Sequence, residues 1–366
     1  MKLVIQNSAH VWGGSEKFLL MLASGLKQRG HEVVIACAAG PLRERAIESG
    51  LRVSSFRPRG SIDFVSGLSF AAWLRTERPD ALLIGSWHSI TWASFCGRLT
   101  QVSRIALRQG IVRRAPSLGT RAYALRHWVD DVITNAPEIK KVWLESLPSF
   151  PEDHVHVVLN AVIPKAWERA AARDKLAAEV GVSPDVTLVG GAGIVTKRKN
   201  FDLLIRAFAR IRPDTTRVVV IGDGPHLPEL RKLAVDLGVE SQVFFTGPRA
   251  NAAEAIAGLD LFVLSSRNEG MANVMLEAMA AGTPVIASDI SGVRTAIGVT
   301  PQRPPAGWIF PADDEARLAS LLADVIADIR DGGQAGTAMA TEALWRAEHW
   351  FSLERMLDEC ERILFR

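Results

Sequence analysis

Short apolar runs alternate with helical patterns along the whole chain, and this rhythm constrains the fold more than any other feature. The runs are rich in valine, isoleucine and leucine, as expected of strands that are buried on both faces of a parallel sheet. They lie at residues 2–5, 31–36, 81–84, 187–190, 218–221, 243–245, 261–264 and 285–287. The sequence therefore predicts α/β domains whose sheets are covered by helices, with ligands bound beyond the carboxyl ends of the strands.

The segment at residues 268–292, NEGMANVMLEAMAAGTPVIASDISG, combines a polar loop with a short helical pattern. Asn273 is a good N-cap and the Gly-Thr-Pro sequence is a stop signal, so we expect a helix of about two turns. The N–H groups at such a helix start attract an anion such as a phosphate. Glu277, one turn in, is placed to accept the hydroxyls of a ribose, and Glu269 is placed to face a sugar. Two carboxylates at this spacing also occur on ordinary buried helices.

Two further loops in the second half of the chain suit a diphosphate ligand. Lys197, Arg198 and Lys199 follow a predicted strand and precede a helical pattern. Fixed cations there stabilise the negative charge that develops as a glycosidic bond to a diphosphate breaks. Solvated lysines before a helix are the ordinary alternative. In IGDGP, Gly222 and Gly224 let a turn pass close to a ligand, and the missing third glycine argues against an NAD site.

The segment from Glu269 to Glu277 closely resembles the E-x7-E signature of retaining glycosyltransferases of family 4, which have the GT-B fold. Four other segments match in the family's order: GGSE at residues 13–16, Asn160 in VLNAV, KRKNFDLLIRAF from Lys197 and IGDGP from Ile221. The resemblance covers most of the chain and implies two Rossmann-like, doubly wound domains that face each other across a cleft. It places the acceptor-binding domain at residues 1–165, the nucleotide-sugar-binding domain at 166–345, and a helix at 346–366 that packs back on the first domain.

The resemblance also implies a role for each matching residue. Catalytic roles fall on Arg198, Lys199, Glu269 and His88. The implied donor-binding residues are Gly14, Gly222, Gly224, Gly270, Met271, Ala272, Asn273, Val274 and Glu277. The implied acceptor-binding residues are Gly13, Ser15, Glu16 and Arg108. The co-substrate is expected to be a UDP- or GDP-sugar, and neither a cofactor nor a metal ion is expected.

Two positions depart from the family pattern. Ile194 stands where the family has an arginine, so we expect Arg198, beside the matching Lys199, to supply the guanidinium. The family's histidine is not clearly matched, because His88 and Arg108 compete for its place. A catalytically weakened sugar-nucleotide-binding protein is therefore one alternative interpretation, and a sugar-nucleotide epimerase of the same two-domain plan is another.

The formal net charge of +3 is unevenly distributed. Residues 1–165 hold 21 Lys+Arg against 13 Asp+Glu, giving +8, and the remainder holds 22 against 27, giving −5. No acidic residue occurs from Ala81 to Val129, where seven arginines accumulate: Arg98, Arg104, Arg108, Arg113, Arg114, Arg121 and Arg126. Such a region suits an anionic membrane or a diphosphate-linked acceptor. A solvated face over core tryptophans is the ordinary alternative, and a nucleic-acid surface is a weaker one.

The three cysteines have neither a disulfide nor a zinc-binding spacing, and the amino terminus fits a first strand and not a signal peptide. No stretch approaches the ~18 apolar residues of a membrane span. We therefore expect a cytoplasmic, peripheral membrane protein at the inner face of the plasma membrane. The predicted activity is the metal-independent, retaining transfer of a hexosyl unit to a hydroxyl of a glycan or lipid-linked acceptor, in cell-surface polysaccharide or lipopolysaccharide synthesis.

Overall fold

The chain forms two compact units in the structure, which is a computed structural model that describes residues 1–56, 64–249 and 251–366. Unit 1 comprises Met1–Ala161 and Leu353–Arg366, and unit 2 comprises Val162–Ser352. Each unit has a parallel sheet, so the predicted α/β architecture is confirmed.

Unit 1 contains a seven-stranded parallel sheet with helices on both faces. Its strands are β1 (Lys2–Asn7), β2 (Glu32–Cys37), β3 (Arg52–Ser55), β4 (Ala81–Ile84), β5 (Arg104–Gln109), β6 (Asp131–Thr134) and β7 (Val155–Val157). Its first helices are α1 (Gly14–Gln28), α2 (Pro41–Glu48), α3 (Phe64–Glu77), α4 (Ile90–Leu99), α5 (Gly119–His127) and α6 (Pro137–Ser146). The strand order is β3-β2-β1-β4-β5-β6-β7. One apolar core lies under α1 and α2, and a second lies under α3 and α4, as expected of a sheet buried on both faces.

Unit 2 contains a six-stranded parallel sheet. Its strands are β8 (Thr187–Ala192), β9 (Thr216–Ile221), β10 (Val243–Phe245), β11 (Leu261–Leu264), β12 (Val285–Ser288) and β13 (Trp308–Phe310). Its helices are α7 (Arg169–Val180), α8 (Phe201–Ile211), α9 (Leu227–Asp236), α10 (Ala252–Ala257), α11 (Asn273–Ala280), α12 (Val293–Ile297), α13 (Glu315–Arg330) and α14 (Gln334–His349). The strand order is β10-β9-β8-β11-β12-β13, and α8, α9 and α13 share one core with the sheet. Within the described residues, no helix of either unit is long and apolar enough to cross a bilayer.

The last helix, α15 (Leu353–Leu364), belongs to unit 1 although it follows unit 2 in the chain. Its residues Met356, Leu357 and Cys360 are at most 1% exposed and share a core with α1. The apolar face of α15 is therefore buried in the core of unit 1. The chain crosses between the units after Ala161 and after Ser352, a few residues from the predicted boundaries at 165 and 345.

The cysteines lie inside unit 1 and carry no disulfide. Cys37, Cys96 and Cys360 are all free and buried. Burial raises the pKa of the Cys37 and Cys96 thiols to about 11 and that of Cys360 to about 12. Because the thiolate is the reactive form, these side chains are inert at neutral pH.

A buried ion cluster connects α14 to the end of α12 and to the loop that follows it. Arg346 is fully buried, and its guanidinium donates to the carbonyls of Ala296 and Gly298, both at 2.9 Å, and to Glu342 Oε1 at 2.8 Å. Glu342 also accepts from Arg303 Nε at 2.9 Å. Burial alone raises the pKa of Glu342, but its hydrogen bonds to the two arginines outweigh this and hold the pKa below its usual value. The cluster therefore depends on an ionised Glu342.

We expect Glu342→Ala to destabilise the protein by about 3–5 kcal/mol, because it leaves the buried Arg346 charge without its carboxylate. Since the folded pKa of Glu342 is lowered, its contribution is complete above about pH 4.3, the pKa of an unfolded Glu, and is lost as the pH falls through the folded value. Denaturant unfolding at pH 7 and at lower pH measures both effects. The control is Asp236→Ala, which removes a carboxylate from an exposed pair with Lys232 and is expected to change little.

Candidate functional site

The charged residues that the sequence singles out in unit 2 meet at the carboxyl end of its sheet. Lys199 Nζ lies 2.8 Å from Glu269 Oε1, and Arg198 Nη1 lies 2.6 Å from the same oxygen. The side chains of Lys199 and Glu269 are 10% and 12% exposed, whereas that of Arg198 is 46% exposed. We call Arg198, Lys199 and Glu269 the ion triad. It holds two positive charges and one negative charge at the end of two adjacent strands.

Hydrogen bonds join the two loops that carry the ion triad. The first loop follows β8 and the second follows β11, and the two strands are neighbours in the sheet. Arg267 N donates to the Arg198 carbonyl at 2.9 Å, and Ser265 Oγ donates to the Lys199 carbonyl at 3.1 Å. Arg198 Nη1 donates to the Asn268 carbonyl at 2.9 Å. The cations are thus fixed by backbone contacts as well as by Glu269.

Opposing effects act on the Glu269 carboxyl. Burial raises its pKa, but the charges of Lys199 and Arg198 and their hydrogen bonds lower it by more than burial raises it. The pKa of Glu269 therefore lies below the usual value. Ser266 Oγ also donates to Glu269 Oε1, at 3.3 Å. Glu269 is therefore ionised at neutral pH, and the triad carries a net positive charge of one. An anionic ligand that contacts the triad meets this charge in a largely desolvated setting, where electrostatic interactions are strong.

Gly222 and Gly224 follow β9 and pack closely against the backbone of the loop after β8. Gly222 has φ +135, and a Cβ at this position would overlap the carbonyl oxygen of Gly193. A Cβ at Gly224 would likewise overlap the Val195 carbonyl oxygen. The two glycines therefore let this turn pass against the loop that leads to Lys199. Their contact with a donor stays a prediction.

The helix after Glu269 begins one residue earlier than predicted. Ala272 is the N-cap and Asn273 is already the first helical residue of α11, so the prediction that Asn273 is the N-cap was wrong. The three residues before it, Gly270, Met271 and Ala272, are buried. Glu277 lies one turn into α11, in a half-buried position. Val274 is also half-buried. The structure thus brings the whole 269–277 segment to the edge of the sheet that holds the ion triad.

The GGSE segment of unit 1, at residues 13–16, forms the start of α1. α1 starts at Gly14 with Gly13 as its N-cap, so Ser15 and Glu16 lie in its first turn. An acidic side chain in the first turn favours a helix start there, because the N-terminal end of a helix is positive. Glu16 is 7% exposed and accepts a hydrogen bond from Asn7 Nδ2 at 3.1 Å. This pair connects α1 to the carboxyl end of β1.

Arg108 lies in the interior of unit 1, at 5% exposure. Its Nη2 donates to Asn160 Oδ1 at 2.8 Å, and its guanidinium lies 4.1 Å from the ring centre of Phe18. Burial lowers the pKa of Arg108 to about 10, which leaves the group charged at neutral pH. Its Nε and Nη1 have no hydrogen-bond partner in the part of the chain that is described. The predicted acceptor contact of Arg108 is not tested by this geometry and stays a prediction.

His88 and three serines follow β1 and β4. His88 is exposed and lies in a short 3-10 helix, Trp87–Ser89. Ser8 Oγ lies 2.7 Å from Ser86 Oγ and 3.2 Å from Ser89 Oγ, so the two strand ends share a hydroxyl cluster. The sequence analysis missed this cluster. The signal that was available is a serine soon after each of two neighbouring strands, at the edge of the sheet where ligands bind.

No three His, Cys, Asp or Glu side chains within residues 1–56, 64–249 and 251–366 lie close enough to hold a metal ion together. The ion triad has only one such side chain, Glu269, and its other two members are cations.

Comparisons with known proteins agree with the resemblance. The model for "Glycosyltransferase Family 4" matches residues 12–165, and the model for "Glycosyl transferases group 1" matches residues 183–328. The chain is 30% identical to the lipopolysaccharide core biosynthesis glycosyltransferase LpsE of Rhizobium meliloti, over 76% of this chain and 77% of the relative. It is 29% identical to a D-inositol 3-phosphate glycosyltransferase of Xylanimonas cellulosilytica, over 92% and 88%. Its fold matches HepE of Anabaena, solved with UDP-glucose, with a TM-score of 0.83 at 18% identity, over 99% of this chain and 98% of that one.

The ion triad can be tested without a ligand by a double-mutant cycle. We expect Lys199→Met and Glu269→Gln to show a coupling energy of at least about 1 kcal/mol in denaturant unfolding, because the two charges are in contact and largely buried. The control cycle pairs Glu269→Gln with Lys197→Met, since Lys197 lies on the same loop with an exposed side chain. Equal coupling in both cycles would contradict the geometry described here.

Proposed function

Because the chain belongs to glycosyltransferase family 4 and has the GT-B fold, we propose that it is a retaining hexosyltransferase that uses a nucleoside-diphosphate sugar, either a UDP- or a GDP-sugar. The hexosyl unit passes to a hydroxyl of a glycan or a lipid-linked acceptor. The similarity to LpsE, a lipopolysaccharide core biosynthesis enzyme, supports a role in lipopolysaccharide or polysaccharide synthesis. HepE of Anabaena, which shares the fold, has been solved with UDP-glucose, in line with a donor of this class.

The ion triad is the observation that carries the proposal. A nucleoside diphosphate gains negative charge as its bond to the sugar breaks, so fixed cations beside it stabilise the transition state more than the ground state. Lys199 and Arg198 supply two such charges, 2.8 Å and 2.6 Å from Glu269 Oε1. This arrangement can serve the diphosphate directly, so we propose that transfer needs no metal ion.

We assign the remaining donor contacts to α11 and to the residues just before it. Glu277 is one turn into this helix, where its carboxylate can accept both hydroxyls of a ribose. The backbone of residues 270–274 precedes and starts the helix, and its N–H groups favour a phosphate. Glu269 contacts the sugar hydroxyls in this proposal, so its present bonds to Lys199 and Arg198 orient it before the donor arrives.

The chemistry proceeds on one face of the sugar. The bond from the anomeric carbon to the diphosphate oxygen breaks through an oxocarbenium-like state. The acceptor hydroxyl oxygen bonds to the anomeric carbon on the same face, and its proton passes to the departing diphosphate. Configuration at the anomeric carbon is thereby retained. We assign the acceptor to unit 1, with Gly13, Ser15, Glu16 and Arg108 as its contacts.

We further propose that unit 1 binds an anionic membrane surface at the inner face of the plasma membrane. Fewer arginines contribute positive charge to this surface than the sequence suggests. Arg98 pairs with Asp130, Arg104 pairs with Asp131, and Arg108 is buried. The two acids come directly after the acid-free window that ends at Val129. Of the four remaining arginines, Arg121 is half-buried, and Arg113, Arg114 and Arg126 have exposed side chains.

Exposed apolar side chains accompany these arginines. Leu118 is 86% exposed, Tyr123 is 53% exposed, and Phe95 on the neighbouring α4 is 46% exposed. Trp128 joins Phe95 and Tyr123 into one surface, since its ring lies 5.2 Å from the rings of both. Apolar and aromatic side chains beside arginines are typical of a peripheral contact with anionic lipid. The membrane would bring a lipid-linked acceptor to unit 1.

Transfer is tested with Lys199→Ala and Glu277→Ala. We expect each to lower the transfer rate at least about 100-fold, because each removes a group that acts on the reacting donor. Release of nucleoside diphosphate from a panel of UDP- and GDP-sugars measures the rate, and proton NMR of the product gives the anomeric configuration. Lys197→Ala is the matched control, because this lysine lies on the same loop but is exposed and outside the ion triad, and the variant should retain most of the activity.

Near-native turnover in either test variant would refute the site assignment, and loss of activity with a chelator would refute metal independence. Donor binding without transfer or hydrolysis would favour the sugar-nucleotide-binding alternative. Conversion of the donor sugar without release of nucleoside diphosphate would favour the epimerase alternative.

Membrane contact is tested with the double variant Arg113→Glu, Arg114→Glu. We expect its binding to vesicles of phosphatidylglycerol and phosphatidylethanolamine to weaken at least about tenfold, since each basic residue near an anionic surface contributes about 1 kcal/mol. Cosedimentation measures the binding. The matched control, Arg231→Glu with Lys232→Glu, reverses an adjacent exposed pair on α9 of unit 2 and should bind like the native protein. Unchanged sedimentation of the test variant would remove the membrane proposal.

A further inference from the structure

Asp313, which the sequence analysis did not single out, joins the two loops of the ion triad. It lies between β13 and α13. Its Oδ1 accepts a hydrogen bond from Asn200 Nδ2 at 2.8 Å and another from Arg267 Nε at 2.9 Å. Asn200 directly follows Lys199, and Arg267 comes two residues before Glu269. A single carboxylate oxygen therefore connects the loop of the cations to the loop of the anion.

Arg267 extends this connection to a third point. Its Nη1 donates to the Lys197 carbonyl at 3.0 Å, and its backbone N–H donates to the Arg198 carbonyl at 2.9 Å. Asp313 thus holds Arg267, and Arg267 holds the backbone just before Lys199. Lys197 and Asn200, which flank the two cations in the sequence, are therefore held by Arg267 and Asp313. This support is separate from the contacts that the cations make with Glu269.

The backbone at Asp313 and Asn200 is strained. Asp313 has φ +62 and Asn200 has φ +54. Residues other than glycine adopt this left-handed backbone conformation only at a cost in free energy. Glycine would satisfy this backbone without strain. Strained residues of this kind cluster at functional sites, where the surrounding structure maintains them.

Stability alone does not account for an aspartate at this position. The Asp313 and Arg267 side chains are 54% and 48% exposed, and exposed ion pairs contribute little to stability. The value of the contact lies instead in the geometry that it imposes, because both of its partners adjoin members of the ion triad.

We propose that Asp313 is a positioning residue for the donor diphosphate. Its carboxylate fixes the loop after β8 against the loop after β11 and so sets where Lys199 and Arg198 stand relative to the leaving group. The inference rests on the proposed function, since the cations serve the diphosphate of a sugar donor. Asp313 itself contacts neither the donor nor the reacting atoms.

The test compares Asp313→Gly, Asp313→Asn and Glu315→Ala. The glycine variant relieves the backbone strain as it removes the carboxylate, so its melting temperature should stay close to that of the native protein. We expect its kcat to fall about tenfold to 100-fold, with a smaller change in the donor KM, because displaced cations lose mainly transition-state stabilisation. The asparagine variant keeps an oxygen that accepts both hydrogen bonds and should recover a large part of the rate.

Glu315→Ala is the matched control, because Glu315 lies two residues away and pairs with Arg210 of α8, 3.3 Å apart, outside the triad loops. It should leave kcat unchanged. Native kcat in Asp313→Gly would overturn the proposal, as would a loss of kcat that parallels a loss of melting temperature. A readout independent of activity is the coupling between Lys199 and Glu269, which should fall by more than half in the glycine background. If the native protein transfers no sugar, the proposed function fails, and this coupling alone decides the role of Asp313.

Discussion

Parallel pairing of β8 with β11 is the constraint on which the site in unit 2 depends. The two strands are consecutive in the sheet but far apart in the sequence, and their register places Leu261 opposite Val189. Because both strands run in the same direction, the loops that follow them emerge side by side. Lys199 and Glu269, 70 residues apart in the chain, are therefore neighbours. The glycines after β9 then allow a third loop to pack against the first, and α11 follows directly from the second.

Much of the fold could be predicted from the sequence, because a buried strand of a parallel sheet is a short run of apolar residues. Each of the eight apolar runs corresponds to a strand of the structure. Two of the strands that were missed, β5 and β6, carry charged residues whose burial depends on distant partners. β5 contains Arg104 and Arg108, and β6 starts with Asp131, which pairs with Arg104 across the sheet. A local pattern cannot show that such charges neutralise one another, so these strands looked like part of a basic surface.

The candidate site was accessible in part for the same reason. Its members lie in short segments with characteristic residues, so Arg198, Lys199, Glu269 and Glu277 could be named from the sequence. Their mutual contacts could not, since these depend on which strands are neighbours. Asp313 shows the limit most clearly: it lies more than 100 residues from Asn200 and in a segment without a motif. The serine cluster after β1 and β4 was not predicted, because a single serine after a strand does not indicate a contact with another serine far away in the sequence.

The placement of α15 makes the assembly of unit 1 depend on a segment that is synthesised after unit 2. Met356, Leu357 and Ile363 belong to the same apolar core as Leu3 and Ile5, at the opposite end of the chain. On the ribosome, the segment that forms unit 2 emerges before α15, the helix that covers this core of unit 1. An isolated fragment of residues 1–161 would therefore expose an apolar face to water, and its expression as a separate domain requires the 353–364 helix to be supplied by fusion or in trans.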